Sequence, residues 1–505
     1  MTMALWRRRL AAEFRVAEAK VARKNHQITK KSLVKIAGRL KSPLKKTGAY
    51  CYNKVVINGI LSSEAFMLER KIYNKLLEWK NDPNHTPLII KGCRQCGKTF
   101  SVQDFAQNNY AHTVYINFFE NPDYKDIFSG SLEVDHLTMM MSALLGSTAV
   151  FTPRETVIIL DEIQECPAAR TALKFFCLDG RYDVIATGSL LGVSGYNSAP
   201  ASIPVGYETV VDMYPLDFEE FIMACGINSQ AISLLRQCLN SENEVPASLH
   251  NRMRQLLLQY VVVGGMPAVV QSFITSRNIN HVLQLQRNIV RSYGDDMIKY
   301  ADTPAKSSIR DCFLSIPRQL AKENKKFQYS LIKKGGTSAK FGDAIRWIED
   351  AGIIRVCHNL SITELPLEGN AIQDIFKVYM ADTGLFVSML EDGTQGDILS
   401  GKLLGYKGAI FENIIADIFG KMGRQLYYFR KDSGLDLDFV IRYRGECIPV
   451  EVKATNGNAK SLKTVMQQPE RYHVNNAIKM GNFNINRNGK ILNLPLYMAF
   501  LLDER

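Results

Sequence analysis

Apolar positions along the chain change their period from one region to the next. The stretch that opens with Met67-Leu68-Glu69-Arg70-Lys71-Ile72-Tyr73 has its apolar residues at helical spacing and predicts an amphipathic helix. Short apolar runs follow at Pro87–Lys91, Thr113–Phe118, Thr156–Leu160, Asp183–Thr187 and Thr209–Met213, each rich in Val, Ile or aromatics. Strands buried on both faces read this way. Their alternation with helical segments predicts a parallel sheet with helices on its faces. After residue 225 the alternation gives way to helices. Ser330–Val356 then reads as a helix, a turn at Gly335-Gly336, a second helix Ala339–Asp350 and a strand from Ile353. Ala344, Trp347 and Ile348 share one helical face, and the segment looks like a winged helix, which can place its second helix in a DNA groove. With Lys340 and Arg346 opposed by Asp343, Glu349 and Asp350, a packing module is the favoured reading. Period two returns near the C-terminus, where Leu435–Ile441 and Ile448–Ala454 flank a turn at Arg444-Gly445.

The first strand runs into Gly92-Cys93-Arg94-Gln95-Cys96-Gly97-Lys98-Thr99, followed by Phe100. This is the G-x-x-x-x-G-K-[ST] spacing of a phosphate-binding loop, placed between a buried strand and a helix. Glycines let successive backbone N–H groups converge on phosphate oxygens, and the next helix adds the positive end of its dipole. Residues Gly92 to Phe100 are therefore the expected nucleotide contacts, with Lys98 on the β- and γ-phosphates and Thr99 on Mg²⁺. The third strand ends in Asp161-Glu162, which places an acidic pair where open α/β sheets bind ligands. Asp161 suits Mg²⁺ beside Thr99, and Glu162 suits the base that orients or deprotonates water. The fourth strand ends in Thr187-Gly188-Ser189, and Ser189 is a candidate contact to the γ-phosphate. Cys93 and Cys96 form a C-x-x-C inside the loop, for which a redox role is one reading and ordinary variable positions the favoured one.

A hairpin closed on Arg444-Gly445 sets Asp438 opposite Glu451 and Asp436 opposite Lys453. Alternation puts these four on one side of the sheet and Phe439, Ile441, Val450 and Val452 on the other. Three carboxylates beside a lysine suit a hard metal ion and a base. A polar hairpin face with cross-strand ion pairs is the competing reading.

Several of these segments carry a resemblance. Asp161-Glu162-Ile163-Gln164, Ala172–Phe176 and Asp179–Gly192 look like the AAA-type ATPases that carry a C-terminal domain of unknown function 4143. Tyr214-Pro215-Leu216-Asp217-Phe218-Glu219-Glu220-Phe221 and Gly264-Gly265-Met266-Pro267 resemble two further signatures of that family. The likeness runs from about Met67 to near the C-terminus. Where the family often has Gly-Arg before the fifth strand, this chain has Gly206-Tyr207. The C-terminal hairpin is also similar to the PD-(D/E)xK nuclease core. That resemblance implies a further acid, Glu412, on the helix Ile410–Phe419, with Glu412, Asp438 and Glu451 as metal ligands and Lys453 positioning water or stabilising charge. Asp436 stands where the nuclease pattern has a glutamate.

Charge alters the picture at one end only. The 505 residues carry 62 Lys/Arg against 50 Asp/Glu, yet fourteen of the basic residues and only two acids, Glu13 and Glu18, lie in residues 1–50. The first fifty residues thus hold the whole net charge of +12, and the rest is neutral. Residues 1–66 read as a basic arm for nucleic acid or an anionic surface, an Arg-rich targeting peptide, a disordered tail, or translation from an upstream start. The most apolar stretch, Leu256–Val270, is interrupted by Gln259, Gly264, Gly265 and Pro267, so no membrane span is expected. Ten scattered cysteines favour a reducing, cytoplasmic setting.

The expected architecture is a P-loop α/β sheet of the additional-strand type, then a helical and winged-helix region, then a restriction-endonuclease-like α/β domain. In residues, this is a basic extension (1–66), an ATPase domain (67–225), a helical region (226–325), a winged-helix-like region (326–390) and a nuclease-like domain (391–505). The expected function is Mg-ATP hydrolysis coupled to conformational change on nucleic acid. Two alternatives stay open: a DNA nuclease gated by nucleotide, and a protein-binding switch with a vestigial nuclease fold. ATP and Mg²⁺ are the expected cofactors. DNA, a protein partner or a second copy of the chain are the expected partners. Arg287 and Arg291 are arginine-finger candidates, with ordinary surface roles the favoured reading.

Overall fold

The structure, a computed structural model, describes residues 68–189, 206–300, 303–322, 326–402, 406–453 and 459–503. The readings of residues 1–66 lie outside the described residues.

Helix α1 (Ile72–Asn81) buries Ile72, Leu76 and Trp79 and leads to strand β1 (Leu88–Lys91). The phosphate-loop residues follow, then α2 (Lys98–Asn109), β2 (His112–Asn117), α3 (Val134–Leu145) and β3 (Thr156–Asp161). Helix α4 (Pro167–Asp179) starts on a proline, whose missing N–H costs nothing at a first turn, and stops at Gly180 with φ +68°. Strands β4 (Asp183–Gly188) and β5 (Thr209–Asp212) complete a five-stranded sheet in the order β2-β3-β4-β1-β5. All four pairings are parallel. The strand that carries Asp161-Glu162 is thereby separated from the loop strand by β4, which is the additional-strand arrangement expected. Alternate residues serve opposite faces: Ile89, Ile158 and Leu160 enter one apolar cluster, and Leu88, Ile90, Val157 and Ile159 the other.

Helix α5 (Phe218–Ala224) opens on a capping box in which Asp217 accepts from Glu220 N and Glu220 accepts from Asp217 N. The helices α6 (Ser229–Ser241), α7 (Ala247–Val263), α8 (Pro267–Ser276), α9 (Ile279–Tyr300) and α10 (Thr303–Leu320) follow, as the loss of strand alternation predicted. In the segment read as a winged helix, the helix before Gly335-Gly336 is only a 3₁₀ turn, Tyr329–Leu331. The second helix is present as α11 (Ser338–Asp350), with Ala344, Trp347 and Ile348 buried. Strands β6 (Ile354–Leu360) and β7 (Ala371–Met380) form an antiparallel pair after it.

Helices α12 (Thr383–Ser388), α13 (Thr394–Ser400) and α14 (Lys407–Lys421) precede the C-terminal strands. Strand β8 (Leu426–Arg430) pairs in parallel with β6, so residues on either side of position 390 share one sheet, ordered β7-β6-β8-β9. Its edge strand β9 (Asp436–Leu437) pairs with β8. The hairpin β10 (Phe439–Tyr443) and β11 (Glu446–Val452) has the register read from the sequence, with Phe439 opposite Val450 and Ile441 opposite Ile448. These two continue through β12 (Ala477–Gly481) and β14 (Ile491–Pro495) to β13 (Asn486–Asn488). One large apolar cluster runs from Leu216 through the helices to Leu502, and residues 67–505 form one unit.

Candidate functional site

The sheet's C-terminal edge gathers every expected nucleotide residue. Gly92 has no room for a side chain, since a Cβ there would lie 2.1 Å from Met213 O. Gln95 and Gly97 take left-handed backbone angles, φ +63° and +98°, which turn the loop into α2. Lys98 is buried and its Nζ donates to Gly92 O and Cys93 O, both at 2.9 Å. The ammonium thus caps the loop's own carbonyls. Cys93 and Cys96 are both buried, and Cys96 Sγ donates to Met213 O at 3.6 Å. A hydrogen bond from Cys93 lowers the Cys96 thiol to about 6; burial opposes this, and Lys98 and Arg70 assist it. Arg94 pairs with Asp296 on α9 at 2.8 Å, and Tyr293 OH donates to Arg94 O at 3.1 Å, so the helical region touches the loop directly. Phe100 is 62% exposed on α2.

Asp161, at the end of β3, is buried and accepts from Thr99 Oγ1 at 3.0 Å, Tyr115 OH at 2.7 Å, Asn117 Nδ2 at 3.3 Å and Thr187 Oγ1. With Glu162 N donating at 3.1 Å as well, five donors, the loop threonine among them, hold this one carboxylate. Its neighbour Glu162 adopts φ +55°, a left-handed angle that costs a non-glycine residue roughly 1 kcal/mol. The turn directs its carboxylate to Gln164 Nε2 at 2.5 Å and Ser189 Oγ at 3.3 Å. Thr99, Asp161, Glu162 and Ser189 therefore meet as the sequence suggested. Arg287 instead pairs with Asp392 and donates to Ser388 O within the chain.

Arg70 escaped the sequence reading, because a lone arginine ahead of a helix has no signature. Its Nη1 donates to Cys96 O at 3.0 Å, its Nη2 to Tyr214 O at 2.6 Å, and its Nε pairs with Glu220 Oε1 at 3.2 Å. The loop is thereby tied to the Tyr214–Phe221 signature. From there the polar contacts continue. Leu216 N donates to Gly265 O at 2.7 Å, and Gly265 N donates to Asp382 Oδ2 at 2.7 Å. A Cβ on Gly265 would lie 2.0 Å from Leu216 O, and one on Gly264 2.1 Å from Asp382 Oδ1, which explains both glycines. Asp382 pairs with Lys421 at 3.3 Å, and Lys421 with Asp417 at 2.7 Å; all three are buried. Asp417 is pushed up to about 6, chiefly by burial and against the pull of Lys421. Asp417 and Lys421 lie on α14, the helix that carries Glu412.

Glu412, Asp438, Glu451 and Lys453 lie close enough together to act on one another's charge. Asp438 Oδ2 accepts from Val452 N at 2.8 Å, Glu412 Oε2 accepts from Tyr379 OH at 3.2 Å, and Lys453 pairs with Glu451 Oε1 at 2.5 Å. Burial, then Glu412 and Glu451, push the Asp438 carboxyl well up. Asp436 departs from its expected place opposite Lys453. Its strand crosses to β8, so it pairs with Arg430 at 3.4 Å and Lys377 at 3.5 Å. Phe439, Ile441, Val450 and Val452 face the large apolar cluster, as expected. Lys377, on β7, is a second residue missed in the sequence, since nothing local marks it as part of this cluster. Among the described residues, no three His, Cys, Asp or Glu side chains gather closely enough to hold a metal ion.

The sheet order, the loop and its acidic partner define a P-loop protein of the AAA class. Residues 84–222 match the family described as AAA domain. Residues 407–497 match a domain of unknown function 4143, so the chain carries an AAA domain and this domain after it. Residues 254–396 between them match domain of unknown function 8612. No curated protein matches the chain. Among solved structures, it is similar to the Walker-type ATPase of Pyrococcus abyssi at 14% identity, covering 64% of this chain and 96% of that one with a TM-score of 0.38. It is also similar to the Aeropyrum pernix ORC2 protein at 13% identity, covering 69% and 97% with a TM-score of 0.31. AMPPCP-bound DnaA from Aquifex aeolicus matches at 14% identity, covering 58% and 90% with a TM-score of 0.26. Among the described residues, no helix is long and apolar enough to cross a membrane.

Proposed function

We propose that the protein hydrolyses Mg-ATP and transmits the resulting change in the phosphate loop to its C-terminal half. The observation that carries this is the meeting of Lys98, Thr99, Asp161 and Glu162 at one sheet edge. Lys98 neutralises phosphate charge, Thr99 and Asp161 hold Mg²⁺, and Glu162 orients the water, with Ser189 placed to touch it. Mg²⁺ fits here because Asp161 and the Thr99 hydroxyl already converge. Lys98→Ala is expected to abolish nucleotide turnover, and Glu162→Gln to trap bound ATP. Undiminished ATPase activity in both variants refutes the assignment.

The output path in this reading runs from Arg70 through Gly265 and Asp382 to α14. Nucleic acid is the proposed object of the motion, supported by the basic charge concentrated in residues 1–50. Removing residues 1–66 should then abolish most of the salt dependence of DNA binding. A nuclease gated by nucleotide draws support from the meeting of Glu412, Asp438, Glu451 and Lys453 in one cluster. A nucleotide-dependent switch that binds a protein partner draws support from the cations that share that cluster. Parallel ATPase and DNA-cleavage assays with Asp438→Ala separate the two, because only the nuclease loses cleavage while keeping ATPase activity.

A further inference from the structure

The acidic cluster of Glu412, Asp436, Asp438 and Glu451 contains a lysine that no hairpin motif supplies. Lys377 is only 2% exposed, its Nζ lies 3.5 Å from Asp436 Oδ1, and it sits 4.5 Å from the centre of the Tyr428 ring. An ammonium group taken out of water costs several kcal/mol unless charges of opposite sign surround it. Here Glu412, Asp436 and Asp438 provide that field. The other carboxylates are engaged as well. Glu451 is bound by Lys453, Asp436 also by Arg430, Asp438 by a backbone N–H, and Glu412 by Tyr379. Four carboxylates thus face three cations, and each carboxylate is engaged by at least one donor of the chain itself. Glu451 Oε2 and Asp436 Oδ1 are buried without a hydrogen-bond partner, the second of them 3.5 Å from Lys377 Nζ, and two such oxygens fall short of the roughly six ligands that Mg²⁺ or Ca²⁺ requires.

We propose that Lys377 is the resident cation of this cluster, and that a divalent ion settles there only when Lys377 is removed. The cluster is then a charge-neutralised joint in the resting protein. This stands independently of the ATPase reading, since it concerns neither the loop nor the nucleotide.

The test titrates nucleotide-free, full-length protein with Mn²⁺, following free Mn²⁺ by its electron paramagnetic resonance signal. Wild type, Asp438→Asn and Lys377→Met are compared, and only binding that depends on Asp438 counts. The wild type is expected to show none. Lys377→Met should lose thermal stability without metal, gain an Asp438-dependent Mn²⁺ site at least about tenfold tighter than anything in wild type, and recover stability when Mn²⁺ is added. Wild-type binding that disappears in Asp438→Asn overturns the proposal, and so does a folded Lys377→Met that gains no site. Should Lys377→Met fail to fold, the wild-type and Asp438→Asn titrations decide on their own.

Discussion

Replacing Arg70 by methionine removes the cation that joins the phosphate loop to α5 while keeping most of the side-chain volume. Arg70 and Glu220 form an ion pair with side chains only 10% and 7% exposed. Breaking a buried pair from one side typically costs about 3–5 kcal/mol, because the remaining charge is left uncompensated. The lost bonds to Cys96 O and Tyr214 O belong to the same network, so they do not add in full. Glu220 keeps two backbone donors, Lys71 N at 2.6 Å and Asp217 N at 3.0 Å, which favours the lower end, about 3 kcal/mol. The Glu220 carboxyl is already raised by burial, with Arg70 pulling the other way, and losing Arg70 raises it further. A carboxyl raised in the folded state withdraws stability as pH climbs through its titration. The deficit should therefore be larger at mildly alkaline than at mildly acidic pH. Urea unfolding of Arg70→Met, Glu220→Gln and the double variant measures it. A coupling of about 2 kcal/mol is expected, since the glutamine no longer strands a charge. Affinity for a fluorescent ADP analogue should fall about tenfold, as the Cys96 carbonyl loses its anchor. A stability loss below about 0.5 kcal/mol, or a double variant equal to the sum of the singles, refutes the argument.

Gly265→Ala places a Cβ 2.0 Å from the Leu216 carbonyl, a rigid backbone atom, so a loss of about 3 kcal/mol or more is expected, visible as a lowered unfolding midpoint. With the Cys96 thiol lowered to about 6, thiolate absorbance should rise with a midpoint near that value and vanish in Cys96→Ser; a midpoint in the usual thiol range would contradict it. The linkage sign follows: a thiol depressed in the folded state adds stability as pH rises from about 6 towards the ordinary thiol value of 9, and Cys96→Ser should lose that rise. Lys421→Met strands Asp382 and Asp417 without their cation, and should destabilise by about 3–5 kcal/mol, with Asp417→Asn recovering part of it in the double variant.

What the sequence made legible was local. The central strands β1, β3 and β4 could be read because each buries both faces and so appears as an apolar run, whereas the edge strand β5 is largely exposed and is marked only by its Val210-Val211 pair. The loop was readable because phosphate binding dictates residue type at fixed spacing. The hairpin register followed from its turn, and Phe439 does lie opposite Val450. The reading failed where a tertiary partner outweighed the local rule. The turn register sets Asp436 opposite Lys453, but β9 leaves the hairpin to pair with β8, so Asp436 meets Arg430 and Lys377 instead. The helix expected before Gly335 shrinks to a turn. Arg70, Lys377 and Lys421 act at long range in the chain. Arg70 and Lys377 find their partners on other elements, and Lys421, besides Asp417 one helical turn away, pairs with Asp382 thirty-nine residues earlier, so no window of sequence could reveal these networks.

The pairing of β6 with β8 bears on how this protein can be divided. The stretch matched as domain of unknown function 4143 starts at residue 407, but its first strand borrows a neighbour from residues 354–360. Excised at that boundary, the fragment would present the bare edge of β8, an open row of N–H and C=O groups that invites intermolecular pairing. It would also lose Lys377 on β7 and leave Glu412 and Asp438 facing one another without it. Fragments meant to report on the acidic cluster should therefore begin before α11, so that the borrowed hairpin travels with the strands it completes.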